Sequence, residues 1–172
     1  MPKMPHALTG FLAYKYGKQL IGTVNVELPK LEQLTETIQG AGIAGEIEAV
    51  IKGQFKAMSA TIETRTVTDD SFSLLDPNGI DLTFRGNIQA GDSSTGRLTD
   101  TALKVRIKAQ SKVFDIGKLE AGKAMGTKNE FSVSYYKVWF DNEEHLEVDI
   151  PNYIFKIGGI DYLAGVRKNL GL

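Results

Sequence analysis

The sequence predicts a single, mainly β domain carrying two short helices, and three observations predict it. Apolar residues recur at every second position over long stretches of the 172 residues, the spacing of strands half-buried in a sheet. Clusters of Gly, Asn, Asp and Ser punctuate those stretches where turns are needed. Helix signals are few and short. The chain has no cysteine, so its core alone must hold it, and a domain of this size buries roughly two-thirds of its unfolded surface without staples.

Taken in order, Phe11 to Tyr16 and Gln19 to Leu28 read as two strands turned at Gly17. Glu46 to Ile62 fits two patterns. Ile47, Val50, Ile51, Phe55, Met58 and Ile62 suit a helix, whereas Gly53 and the Thr61 to Thr68 run suit strands, and periodicity does not choose between them. Asp69-Asp70-Ser71 predicts a cap for a turn of helix through Phe72 to Leu75, stopped by Asp76-Pro77-Asn78-Gly79.

Ile80, Leu82, Phe84 and Ile88 then alternate with Asp81, Thr83, Arg85 and Asn87. Leu103, Val105, Ile107, Ala109 and Val113 alternate with Lys104, Arg106, Lys108 and Lys112. The polar loop Gly91 to Gly96 joins these runs into one long antiparallel hairpin. A second hairpin takes Phe131, Val133, Tyr135 and Trp139 into a four-residue turn at Asp141 to Glu144. That turn sets Trp139 opposite Leu146 and Tyr135 opposite Ile150 on a shared apolar face, with His145, Glu147 and Asp149 on the other. Near the end, Asp161 caps a helix from Tyr162 to Leu170, with Gly171 just beyond it.

Composition narrows the chemistry. Twenty cations against twenty-one acids leave a formal charge of -1, without the basic excess of a dedicated nucleic-acid binder. The absence of cysteine removes thiolate metal sites and cysteine nucleophiles. Met1 to His6 lacks the apolar run of a signal peptide, and no stretch approaches the ~20 apolar residues of a membrane span. The expected compartment is therefore cytoplasm-like, or one reached without a cleaved signal.

Gly40-Ala41-Gly42-Ile43-Ala44-Gly45 matches a dinucleotide fingerprint in letters. It follows a polar run, is separated from the preceding strand by Pro29, and sits in a chain without βαβ alternation, so a flexible small-residue loop is expected instead. His145 beside Glu147 and Asp149, across from Ser132 and Ser134, imitates part of a hydrolytic triad but lacks a nucleophile elbow. His6 has no second ligand set for a metal. The acid pairs Asp69-Asp70 and Glu143-Glu144 read as a cap and a hairpin tip. No cofactor and no enzymatic activity are expected.

Several segments in order resemble the major tail tube protein of contractile-tailed bacteriophages. They are Leu28-Pro29-Lys30-Leu31 leading into Gln39 to Gly45; Asp76-Pro77-Asn78 with Leu82 to Gly86 and Gln89; and Asp115-Ile116-Gly117 followed by Gly122. Tyr135-Tyr136-Lys137, Leu146 to Ile150, Asn152, and Gly159 to Leu163 running to Gly171-Leu172 complete the set. The resemblance implies two packed antiparallel sheets, sandwich- or barrel-like, with a flanking helix, spanning the whole chain as one domain. It implies hexameric rings stacked into a hollow tube inside a sheath, conducting the genome through the host envelope. The same fold serves phage-derived bacteriocins and is related to the haemolysin-coregulated tube protein of type VI secretion. Expected partners are further copies of the chain, the tail sheath, baseplate and tape-measure proteins. DNA is expected to pass through without specific binding, in a virion tail assembled in the host cytoplasm. The resemblance also implies that Glu46 to Val67 is a β-hairpin.

Three sets of site residues follow as expectations. An extended segment at about 28–45, through Leu28, Pro29, Lys30, Leu31, Gly40, Gly42 and Gly45, reaches from one ring to the next, Pro29 keeping it out of a central sheet. Glu46, Glu48 and Glu63 line a lumen that should not attract DNA. Lys104, Arg106, Lys108 and Lys112 repel one another on one strand face, so they meet either an acidic neighbouring subunit or plain solvent. The rival class is a monomeric β-barrel module with a ligand pocket; more remote is an oxidoreductase using Gly40 to Gly45.

Overall fold

The computed structural model describes residues 3–22 and 25–172. Among the described residues every strand pairing is antiparallel, and the strands fall into a ten-stranded sheet and a two-stranded one. The large sheet is built on three long neighbours, β7 (Ile80–Asp92), β8 (Leu98–Asp115) and β9 (Thr127–Phe140). β1 (Lys3–Lys15) pairs with β7, and β2 (Gln19–Ile21) returns along the last residues of β1. The Asp92 carboxylate closes the β7–β8 turn by accepting from the Ser94 and Thr95 amides at 2.8 and 3.3 Å.

β9 forks the sheet. β8 follows it along its whole length on one side. On the other, its first half pairs with β6 (Met58–Thr64) and its second half with β10 (Glu143–Asp149). β11 (Ile154–Ile157) and β12 (Ile160–Asp161) extend the β10 branch, and β3 (Asn25–Glu27) extends the β6 branch. Ile21 lies on one edge and Asn25 on the opposite one, so the chain's reach of roughly 3.6 Å per residue holds the two edges within about 14 Å. The sheet is therefore curled, and its inner face carries Met58, Ile62, Leu82, Phe84, Val105, Ile107, Phe131, Val133, Tyr136 and Val148 as the core.

The fork has a sequence cause. Lys108 pairs with Tyr135 and Ala109 with Val133, leaving Ser134 as the extra residue of a bulge. The alternation changes phase there: Phe131 and Val133 face the core before it, Tyr136 and Val138 after it. The expected register of the second hairpin is corrected accordingly. Asp141 and Asn142, both at positive φ (51° and 65°), make a two-residue turn. Glu144 faces Trp139, His145 is bulged, and Tyr135 faces Asp149. Trp139 consequently lies half-buried on the outer face and not in the core.

Among the described residues the two helices are α1 (Asp69–Ser73) and α2 (Ala164–Leu170). α1 starts earlier than expected because Thr68, not the acid pair, occupies the N-cap, its amide donating to Ser71 Oγ at 3.3 Å. α2 is shorter by two residues, preceded by an Asp161 carboxylate that accepts from the Leu163 amide at 3.0 Å, and ended by Gly171 in the left-handed conformation.

The remaining strands correct two expectations. β4 (Gln33–Gln39) and β5 (Glu46–Phe55) pair with each other as a separate two-stranded arm. Residues 28–45 are therefore not one extended loop. Nor is Glu46 to Val67 a hairpin, since β5 belongs to the arm while β6 belongs to the large sheet. The helical spacing within β5 arises from a break in pairing: Thr35 faces Val50, yet Gln33 faces Phe55. Gly53 turns this break with φ +74°, and its amide donates to Gln33 Oε1 at 3.2 Å. A Cβ there would lie 2.8 Å from Leu163 carbons, so the arm's root is set tightly against the start of α2.

Candidate assembly interface

The longest unfinished edge is β1. It pairs with β7 throughout but with β2 only at Ala13, Tyr14 and Lys15, so among the described residues no strand pairs with its outer edge from Lys3 to Leu12. Met4, Leu8 and Leu12 along it are 62%, 50% and 50% exposed. A long apolar edge of this kind is a template for pairing with another chain unless something covers it. Sequence reasoning missed residues 3–10 as strand because Pro5 and Gly10 argue against one, and because bulges after Pro5 and Leu8 break the two-residue period.

The arm is the second exposed element. Ile38 faces Ile47 across its two strands, and both are about half exposed together with Val50. Gly40, Gly42 and Gly45 form its tip at φ +155°, +95° and +139°. They join strand to strand, so the glycines do not stand at the mouth of a helix, the geometry a pyrophosphate site needs. Leu28 to Leu31 do not share the tip. Pro29 is buried, Leu31 packs on the core, Leu28 and Lys30 are exposed, and Lys30 pairs with Glu32 at 3.4 Å.

The three expected lumen carboxylates fall on two sheets. Glu46 and Glu48 share one face of β5, where Glu48 Oε1 accepts from Thr35 Oγ1 at 2.7 Å. Glu63 sits on β6 and pairs with Lys128 at 3.5 Å.

The basic stripe does lie on one strand, β8, and neighbouring strands attend to each member. Arg106 forms a bidentate pair with Asp81, Nε donating to Oδ1 at 3.0 Å and Nη2 to Oδ2 at 2.5 Å, which raises the guanidinium's pKa. Lys112 reaches Glu130 at 3.3 Å. Lys104 and Lys108 have aromatic partners instead, with Nζ 4.5 Å from the Trp139 ring centre and 4.8 Å from that of Tyr135. Arg85, directly across from Lys104, lies 5.7 Å from the Tyr14 ring.

Beside the stripe a buried carboxylate organises β9, β10 and β11. Glu147 accepts from the Tyr135 hydroxyl at 3.0 Å and meets Lys137 at 3.5 Å and Lys156 at 3.4 Å. Burial alone would raise its pKa, but the hydroxyl and two ammonium groups outweigh burial and hold it below the ordinary value of 4.5. The same burial pushes the Tyr135 phenol well above its usual range, helped by the hydrogen bond to Glu147. Glu147 is thus committed to a structural network, and His145 packs edge-on against Phe140 at 6.0 Å. Among the described residues no three metal-ligating side chains converge, and no helix is long and apolar enough to cross a membrane.

A cleft of about 450 Å³ opens at the arm's root, lined by Leu34, Gly53, Phe55, Ile150, Tyr153 and Leu163 among others. Hydrocarbon predominates there and no titratable cluster faces it.

Comparison with known proteins adds relatives to this geometry. The profile of the family described as phage tail tube protein FII matches residues 5–171. The chain is 29% identical over 152 residues to the tail tube protein of Escherichia phage P2, covering 86% of each. It is 26% identical over 173 residues to the major tail tube protein of Serratia phage KSP20, covering 98% of each. In fold it is similar to a chain from the cryo-EM structure of the sheath/tube terminator of an extracellular contractile injection system, PVC, in its extended state. That similarity has a TM-score of 0.55 at 12% identity, over 81% of this chain and 99% of that one.

Proposed function

The chain belongs to the phage tail tube protein FII family, a structural family and not an enzymatic one, and from that premise we propose that it is the repeating subunit of the inner tube of a contractile tail. Copies close into hexameric rings, the rings stack into a hollow conduit within the sheath, and DNA passes along the lumen without specific binding. Baseplate and tape-measure proteins are the further partners of such a tube, which is assembled in the host cytoplasm and ends as part of the virion tail.

The observation that carries this reading beyond family membership is the β1 edge, unpaired from Lys3 to Leu12 among the described residues, with Met4, Leu8 and Leu12 exposed along it. Pro5 and the two bulges blunt part of this edge, and a chain that worked alone would still have to cover the rest. A ring covers it with the next subunit. The test is solution mass against concentration. The account expects mass to rise from the 18.8 kDa of one chain towards that of a closed ring. A mass of one chain at every concentration contradicts it.

A further inference from the structure

We propose that the acidic face of the β4–β5 arm of one copy lies against the Arg85, Lys104 and Lys108 face of the next copy; this rests on the self-assembling role above and names the surfaces that meet. On β8 and its neighbours, most charges are answered within the chain. Asp81 is held by Arg106, while Glu144 and Glu147 are held by Lys137 and Lys156. Arg85, Lys104 and Lys108 have no carboxylate partner among the described residues. Arg85 and Lys104 are direct cross-strand neighbours, an arrangement that destabilises a free sheet.

The arm carries the complementary pattern. Along the arm, from Gln33 to Phe55, stand three carboxylates, Glu36, Glu46 and Glu48, against one cation, Lys52, at the root end of the Glu46–Glu48 face of β5. None of the three has a cationic partner within salt-bridge distance among the described residues. Glu46 and Glu48 step along β5 by two residues, about 7 Å, which fits within the span of about 14 Å between Lys104 and Lys108 on β8. Desolvating both surfaces together answers both sets of unpaired charge and covers Val50, which shares the Glu46–Glu48 face of the arm. DNA is the poorer occupant. Trp139, Tyr135 and Tyr14 are capped by the cations and so are not free to stack on bases.

The test couples carboxylates to amines at zero length with a carbodiimide, in an assembled mixture of labelled and unlabelled wild-type chains. Links between copies should join Glu46 or Glu48 to Lys104 or Lys108. Separately, Lys104→Glu with Lys108→Glu should cut the assembled fraction about tenfold or more, as should Glu46→Lys with Glu48→Lys, and all four together should restore it. Intermolecular links absent from these pairs overturn the proposal, whether or not a variant folds. So does a fourfold variant no better than either pair. Normal assembly of the Lys104→Glu, Lys108→Glu chain with lost retention of a short DNA duplex overturns it in favour of phosphate recognition. A wild type that never assembles removes the tube reading as well; a wild type that assembles while every swap is silent removes this inference alone.

Discussion

Phe131 and Trp139 sit eight residues apart on one strand, with opposite surroundings. Phe131 is fully enclosed by the core, so Phe131→Ala should cost about 3–5 kcal/mol in chemical denaturation. Trp139 is half-buried beneath Lys104 and Lys137, the latter 5.1 Å from its ring centre. Trp139→Ala should cost only about 1–2 kcal/mol. An equal loss at both positions would mean that the phase change at Ser134 is absent. The alternation of Phe131, Val133 and Tyr135 was legible in the sequence, but one unpaired residue in β9 inverts every face beyond it, and no periodicity reports a bulge. Glu147 gives a second residue-scale prediction. Its pKa is lower folded than unfolded, so its contribution is complete above the ordinary 4.5 and is lost as pH falls through the lower, folded value. Wild type should therefore lose more stability than Glu147→Gln between neutral pH and the region below 4.5. Parallel losses would show that the Tyr135–Lys137–Lys156 network does not hold a charge.

At the scale of elements, the long β7–β8 hairpin, the turn at Gly17 and both helices were readable because local rules specify them. The arm was not. Its assignment depends on which strand β5 chooses as partner, and the Gly53 break gives β5 a helical spacing that no helix uses. Gly53→Ala forces a side chain into positive φ and towards Leu163, and should cost about 1–3 kcal/mol. Gly165→Ala within α2 has open space and no positive φ, and should be neutral or slightly stabilising. Equal melting temperatures for the two variants would dismiss Gly53 as the arm's anchor. On β1, Met4→Lys at the most exposed apolar position should leave the monomer's stability nearly unchanged while weakening self-association, because a charge on an edge opposes strand addition. Undiminished assembly in sedimentation would show that β1 is not a contact edge.

For the whole molecule, the charge pattern makes most sense between copies. The basic stripe was visible in the sequence as one strand face, but not that β7 and β9 already answer Arg106 and Lys112 while leaving Arg85, Lys104 and Lys108 open. Glu46, Glu48 and Glu63 read as one surface in the sequence and belong to two sheets in the fold. Such relations are tertiary, and pattern reading along one chain does not reach them. In the proposed tube, neighbouring copies cover the apolar β1 edge and meet the carboxylates of the arm. Electron microscopy of the purified chain at high concentration tests that claim most directly. The account predicts hollow six-fold rings or stacked tubes; uniformly dispersed single particles, or aggregates without a lumen, would contradict it.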